Sequence, residues 1–148
     1  MGVLNASQCN LVREAVRKFG RIRLRVTGAS MLPAMRPGDL ITLESAEVEE
    51  ISHGEIVVFV RSGRLVCHRV TATAGKAREP LLATRGDRAR RDDPLVSGSE
   101  LLGRVTQIER GNRRVRLRTR LTTGEQMVCR LLRISDRATS IYLRVTAL

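Results

Sequence analysis

Aromatic side chains are scarce in this 148-residue chain, which contains two phenylalanines, one tyrosine and no tryptophan. Proteins that bind single-stranded nucleic acid stack the bases on aromatic side chains, whereas Phe19, Phe59 and Tyr142 are scattered along the sequence. The composition therefore weighs against nucleic acid as a partner. The net charge of +12 still attracts phosphate groups, so an anionic membrane surface or a membrane-bound protein stays open as a partner.

Cysteine and histidine are also few. The three cysteines, Cys9, Cys67 and Cys129, are odd in number and widely spaced, which argues against a disulfide scaffold and fits a reducing compartment. Two histidines without a CxxC pair offer too few ligands for a structural zinc site. We expect neither a metal nor a cofactor.

Long apolar runs are absent as well. The longest stretch without a charged residue, residues 1–12, is far shorter than the ~20 apolar residues of a membrane-spanning helix. It also lacks the basic start and the compact apolar core of a secretory signal. These absences predict a cytoplasmic protein, with peripheral attachment to a membrane left open.

The pattern of apolar residues predicts a mainly β fold with a helix at each end. Helical spacing over residues 6–19 predicts the first helix, and residues 21–27 alternate between arginine and apolar side chains as a half-buried strand does. From about residue 124 the spacing is helical again, with arginines beside the apolar stripe, so this basic amphipathic helix either packs on the sheet or lies on a membrane surface. Further strands are predicted at residues 39–43, 55–60, 64–70, 81–85, 101–110 and 113–119. The expected divisions are an N-terminal helix (1–20), a β domain (21–120) that carries any active site, and a C-terminal helix (121–148).

One serine lies where a nucleophile would be exposed. Residues 27–39 read TGASMLPAMRPGD and follow directly on a predicted strand. A tight turn rich in glycine and proline can expose the Oγ of Ser30 and leave backbone N–H groups free to stabilise an oxyanion. Serines in such turns are mostly plain turn residues, so Ser30 alone does not indicate catalysis.

A histidine and three acids supply the other groups that a serine nucleophile needs. In the run RLVCHRV, His68 shares a strand face with Val66 and Val70, so its ring is expected to point toward apolar surroundings. A serine becomes nucleophilic when a base takes its proton, and a histidine base works best when a carboxylate fixes its tautomer. The arginine-rich loop TRGDRARRDDP carries three candidate carboxylates, Asp87, Asp92 and Asp93.

The chain resembles the signal peptidase I superfamily over residues 22–108. The resemblance rests on five blocks that occur in the family's order: GASMLPAMRPGD, HGEIVVF, VCHRV, TRGDRARRDDP and LLGRV. The SMLP block followed by GD is shared with the self-cleaving SOS-type repressors. The HRV block with the downstream GD and DD pairs resembles the Ser–His branch found in archaea and the endoplasmic reticulum. The resemblance implies coiled antiparallel sheets and a serine endopeptidase that cleaves after small residues, as in signal peptide processing. It also implies that the peptide or protein substrate binds as an added β-strand.

The resemblance further implies roles for individual residues. Ser30 matches the nucleophile, His68 the general base and Asp93 the third catalytic residue, while Asp87 matches an acid that supports the same site. The residues alone leave open which carboxylate orients His68, because Asp87 and Asp92 lie in the same loop as Asp93.

The oxyanion hole differs from that of most signal peptidases. Those enzymes usually have a serine two positions before the nucleophile, and this chain has Gly28 there. The resemblance therefore implies that backbone N–H groups alone, those of Ser30 and Ala29, hold the oxyanion.

Three other interpretations compete with a Ser–His–Asp peptidase. A lysine base is not expected, because Lys18 and Lys76 both lie outside the strand position that His68 holds. A transcriptional regulator is not expected either, since only about twenty residues precede the first strand, too few for a helix-turn-helix module. The third interpretation is a catalytically inactive basic β domain that binds an anionic membrane or nucleic acid.

Overall fold

Within the residues that the structure describes, seven antiparallel strands form one open sheet. Along the chain, one helix precedes these strands and two helices follow them. This computed structural model describes residues 6–76 and 78–146, so residues 1–5 and 147–148 of the predicted terminal segments lie outside the described part. The mainly β fold with helices at both ends is confirmed.

The order of the strands in the sheet differs from their order in the chain. Along the sheet the order is β1-β2-β6-β3-β4-β5, and β7 pairs with β6. β6 therefore joins the β1–β2 pair to the β3–β4–β5 meander. The strand bounds are β1 (Arg21–Arg25), β2 (Leu40–Glu44), β3 (Ile56–Arg61), β4 (Arg64–Lys76), β5 (Glu79–Arg85), β6 (Leu101–Arg110) and β7 (Arg113–Val115).

The strands agree with the sequence pattern to within two residues except at two ends. β4 continues to Lys76 because it pairs with β5 along that length, past the predicted end at residue 70. β7 stops at Val115 because its pairing with β6 covers only three residues. A short 3-10 helix, Val48–Glu50, follows β2 and was not predicted.

Alternation along β4 divides the core into two clusters. Successive side chains of a strand point to opposite faces. Cys67 lies in the cluster on one face, whereas Val66 and Val70 contribute to the cluster on the other. His68 consequently shares the face of Val66 and Val70, and Arg69 shares the face of Cys67.

Helix α1 (Ala6–Phe19) has the predicted bounds. Its buried side chains, Cys9 and Val16, pack in the larger core cluster. Gly20 follows the last residue of the helix, and its φ of +72° lies in the left-handed region that glycine adopts without strain.

The C-terminal region forms two helices where the sequence predicted one, α2 (Thr123–Ile134) and α3 (Asp136–Thr146). The chain is extended at Ser135, with a φ of −151° and a ψ of 128°. The Ser135 hydroxyl accepts hydrogen bonds from the N–H groups of Arg137 (3.1 Å) and Ala138 (3.4 Å), so it caps the start of α3. None of the helices in residues 6–76 and 78–146 combines the length and apolar character needed to cross a bilayer.

Candidate active site

The loop that carries Ser30 is closed at its base by backbone hydrogen bonds. The N–H of Val26 donates to the carbonyl of Asp39 (2.8 Å), and the N–H of Gly38 donates to the carbonyl of Val26 (2.7 Å). Residues between these contacts therefore leave the sheet as one compact loop directly after β1. Ser30 lies in this loop and is half-buried.

Asp39 fixes this loop to the sheet. Its side chain is only 2% exposed, and its carboxylate accepts hydrogen bonds from the Arg36 N–H (2.9 Å) and from Nε and Nη2 of Arg110 in β6 (2.9 and 2.7 Å). A bidentate pair of this kind fixes orientation as well as distance. Sequence analysis assigned Asp39 no role beyond its place in the GD pair at the end of residues 27–39.

His68 is held in β4 between apolar side chains and a carboxylate. Its Nδ1 lies 2.6 Å from Oδ2 of Asp93. The ring meets Phe59 edge to face, with centroids 6.2 Å apart and an angle of 72° between the planes, and Val57 is its cross-strand neighbour in β3. The apolar surroundings predicted for His68 are therefore present on the sheet face that it shares with Val66 and Val70.

Asp93 is fixed in turn by Thr84 of β5. The Thr84 hydroxyl donates to Oδ2 of Asp93 (2.7 Å), and the N–H of Asp93 donates to the Thr84 carbonyl (2.7 Å). Thr84 is fully buried, so the carboxylate is attached to a rigid part of the sheet. Sequence analysis did not identify Thr84. The available signal was its place in the predicted strand, two residues after Leu82 at a buried position.

Asp87 binds an arginine on the opposite face of β4. Its two carboxylate oxygens accept hydrogen bonds from Nε (2.8 Å) and Nη2 (2.9 Å) of Arg69. Arg69 also donates through Nη1 to the carbonyls of Gly54 (3.0 Å) and Arg118 (2.6 Å). Both members of the pair are buried. The arginine beside His68 thus has a structural partner of its own, which the sequence pattern did not reveal.

The three acids of the loop consequently occupy different environments. Asp93 contacts His68, whereas Asp87 is buried against Arg69, the residue after His68 in β4. Asp92 is 48% exposed, and its carboxylate lies 3.4 Å from the guanidinium of Arg85. Of the three candidates, the structure brings Asp93 to the imidazole.

Gly86 lies between the serine and the histidine. A Cβ placed on Gly86 would be 3.0 Å from Nε2 of His68, 3.0 Å from the carbonyl oxygen of Ser30 and 3.2 Å from the Cβ of Ser30. Nε2 of His68, the imidazole nitrogen that does not contact Asp93, therefore lies close to Gly86. The Ser30 side chain lies close to the same glycine. No hydrogen bond joins the Ser30 hydroxyl to His68 within the described residues. In enzymes without substrate this contact is often loose and tightens in the complex.

The backbone around Ser30 leaves its N–H groups available. In the part of the chain that the structure describes, the N–H groups of Ser30 and Ala29 donate no hydrogen bond. Their carbonyls do accept hydrogen bonds, Ala29 from the Leu32 N–H (3.3 Å) and Ser30 from the Arg88 N–H (3.0 Å). The turn is thus held through its carbonyls, and its donors can meet an anionic oxygen.

Other nucleophiles and bases in the chain are placed differently. Burial raises the pKa of Cys67 to about 12, and burial together with the charge of Asp87 raises the pKa of Cys129 to about 11, so neither thiol ionises readily. Lys18 extends over the Phe19 ring on α1, and Lys76 is exposed at the end of β4. No cluster of three or more His, Cys, Asp or Glu side chains suited to a metal ion occurs in residues 6–76 and 78–146.

The first half of the chain is similar to a known peptidase family. Residues 7–79 match the model of the Peptidase S24-like family. The match spans Ser30 and His68 and ends before the loop with Asp87 and Asp93. A Peptidase S24-like region indicates a serine peptidase-like fold. No curated protein matches the chain significantly.

Proposed function

We propose that this chain is a serine endopeptidase of the signal peptidase-like type, which cleaves peptide bonds after small residues. One observation carries the proposal: His68 contacts Asp93 through Nδ1, and its Nε2 faces the same glycine as the Ser30 side chain. The Peptidase S24-like match over residues 7–79 supports the same chemistry.

In the proposed reaction, Oγ of Ser30 attacks the carbonyl carbon of the scissile bond while Nε2 of His68 takes the hydroxyl proton. The N–H groups of Ser30 and Ala29 stabilise the oxyanion of the tetrahedral intermediate. The intermediate collapses as His68 returns the proton to the leaving amine, and an acyl-enzyme on Ser30 remains. Water, deprotonated by His68, then hydrolyses this ester and restores the hydroxyl. Asp93 keeps the Nδ1 proton in place throughout and stabilises the imidazolium.

The test compares wild-type protein with Ser30→Ala on a peptide that contains an Ala-X-Ala sequence. We expect cleavage by the wild type and its loss in Ser30→Ala, with the same circular dichroism spectrum for both. Ser45→Ala is the matched control, because Ser45 is an exposed serine after β2 that lies outside the site. Cleavage that persists in Ser30→Ala would remove Ser30 as the nucleophile.

The alternative function is an inactive basic domain. The net charge of +12 favours it, since binding to an anionic surface needs no catalytic group. A wild-type protein that cleaves no Ala-X-Ala peptide and does not react with a serine-directed phosphonate would support this alternative and contradict the peptidase.

A further inference from the structure

The two C-terminal helices leave large apolar side chains uncovered. Met127 and Leu131 in α2 are each 62% exposed, and Ile141 and Val145 in α3 are 61% and 66% exposed. Each pair is separated by four residues, so each helix presents its pair on one side. We call the exposed sides of α2 and α3, with these four residues, the outer helix face.

The outer helix face is separate from the sides that hold the helices to the domain. Cys129 and Leu132 of α2 are buried, and Cys129 donates to the Leu32 carbonyl (3.3 Å). α3 is held by Arg36, which donates to the Thr146 carbonyl (3.0 Å) and to the Tyr142 hydroxyl (3.3 Å). Packing against the domain therefore accounts for one side of each helix and leaves the outer helix face without a partner in the described chain.

Exposed arginines accompany the apolar residues. Arg130, Arg137 and Arg144 lie on the same two helices and are exposed. The Glu125 carboxylate lies at the start of α2 and takes part in the helix cap. It accepts hydrogen bonds from the Thr122 N–H (2.7 Å) and hydroxyl (2.9 Å). The outer helix face thus combines apolar side chains with positive charge.

This combination fits one kind of partner. A helix with apolar residues on one side and arginines beside them binds the headgroup region of a membrane, where the apolar groups enter the acyl boundary and the arginines meet anionic lipids. A second copy of the chain carries the same net charge of +12 and is repelled. Nucleic acid would satisfy the arginines and leave the four apolar side chains in water.

We propose that the outer helix face binds the surface of membranes that contain anionic lipids. The proposal does not depend on the peptidase activity. It has a spatial consequence, because Arg133 of α2 donates to the carbonyls of Asp87 (2.9 Å) and Arg88 (2.9 Å) in the loop of the candidate site. Binding through α2 would hold that site near the membrane surface.

The first experiment measures co-sedimentation of the full chain with vesicles. We expect binding to vesicles made of equal parts phosphatidylcholine and phosphatidylglycerol, and at least tenfold weaker binding to pure phosphatidylcholine. The double variant Leu131→Ser/Ile141→Ser should lose binding at least tenfold. Its matched control is Leu11→Ser/Phe19→Ser, because these residues of α1 are each 67% exposed. Loss of binding in this control alone, or in neither variant, would overturn the proposal.

Charge is tested by Arg130→Gln/Arg137→Gln/Arg144→Gln. Each arginine near an anionic surface contributes about 1 kcal/mol, so we expect roughly a hundredfold loss of binding. The control Arg113→Gln/Arg114→Gln/Arg116→Gln removes three exposed arginines near β7 and gives the same net charge. An equal loss in both variants would indicate attraction by overall charge and would contradict a specific face.

A third measurement does not depend on the loss of a side chain. The chain contains no tryptophan, so Leu131→Trp provides a single fluorescent reporter on the outer helix face and Leu11→Trp provides its control on α1. We expect a blue shift of the emission for Leu131→Trp with the phosphatidylglycerol vesicles and none for Leu11→Trp. Unchanged emission from Leu131→Trp would overturn the proposal.

Discussion

His68 and Arg69 are consecutive residues of β4, and each contacts one aspartate of the loop that follows β5. His68 contacts Asp93 on one face of the sheet, and Arg69 binds Asp87 on the other. The loop therefore leaves the end of β5 beside the middle of β4 and is fastened to β4 on both faces. This arrangement gives the two carboxylates different surroundings, so their substitution should have different effects.

Asp93→Asn should lower turnover by orders of magnitude with little change in KM. An asparagine of the same size favours the wrong imidazole tautomer, and in enzymes with a Ser-His-Asp triad this change costs ~10⁴ in kcat. Steady-state kinetics on the Ala-X-Ala peptide measures the effect. The matched control is Asp92→Asn, which should be nearly silent because Asp92 is exposed beside Arg85. A silent Asp93→Asn together with a damaging Asp92→Asn would contradict the assignment.

Thr84→Val should reduce kcat about tenfold and leave KM unchanged. Valine keeps the shape of threonine but removes the hydroxyl that donates to Asp93, and a hydrogen bond to a charged group contributes roughly 1.5–3 kcal/mol. Thr84→Ser keeps the donor and should restore most of the activity. If serine fails to rescue while both variants unfold at the wild-type temperature, Thr84 does not act through its hydroxyl.

Gly86→Ala should abolish most of the activity without unfolding the protein. The added methyl would lie 3.0 Å from His68 Nε2 and 3.0 Å from the Ser30 carbonyl oxygen, and a displacement of about 1 Å at a reacting pair can cost ~10²-fold in rate. Gly98→Ala is the control, since its Cβ would make an ordinary contact at 3.7 Å. Wild-type kinetics from Gly86→Ala would show that the serine and the histidine do not meet at this glycine.

Asp87→Asn should destabilise the fold more than either other change in the loop. Breaking a buried ion pair leaves an uncompensated charge and costs about 3–5 kcal/mol, and here Asp87 and Arg69 are both buried. Turnover should fall to a level between those of the Asp93 and Asp92 variants, because Asp87 supports the loop without touching the imidazole. Urea unfolding measures the free energy; a value within about 0.5 kcal/mol of the wild type, as expected for Asp92→Asn, would contradict this role.

Stability should decrease at alkaline pH because of Cys67. Burial raises the pKa of its thiol to about 12 in the folded protein, while an unfolded chain has the ordinary value of ~8.5. The stabilisation from this group is therefore complete below pH ~8.5 and is lost as the pH rises toward 12, by about 1 kcal/mol per pH unit above pH ~9. Urea unfolding at pH 8 and pH 10 measures the slope. Cys67→Ala should show a smaller slope, and an equal slope would contradict the prediction.

Sequence patterns predicted the elements better than the contacts between them. Alternation in RIRLR and the β-branched run in β3 depend on local burial, which a sequence displays directly. The end of β4 depends on β5 lying alongside it, and a local pattern does not contain that information. The break at Ser135 does have a local signal, the serine that caps α3, but the helical spacing of the apolar residues continues across it, so one C-terminal helix was predicted instead of two.

In the candidate site, too, the residues were easier to predict than the contacts between them. Residue types offered Ser30 and His68 only as candidates, and the resemblance assigned them the roles of nucleophile and base and singled out Asp93 among three acids. The contacts that hold these groups, Thr84 with Asp93 and Arg69 with Asp87, join residues 9 and 18 positions apart. A threonine and an arginine in apolar strands are visible in the sequence, but their partners follow from the path of the chain after β5, which returns Asp93 to Thr84 and places Asp87 beside Arg69.

The position of β6 has a consequence for the order in which the site can form during synthesis. Ser30 follows β1, while His68 and Asp93 belong to the β3–β4–β5 meander and its following loop. β6 pairs with both β2 and β3, yet it is made after every residue of the site. A nascent chain that has passed Asp93 but not Leu101 holds all the reactive groups without the strand that aligns its two halves. The proposed proteolytic chemistry would thus begin only once β6 is in place.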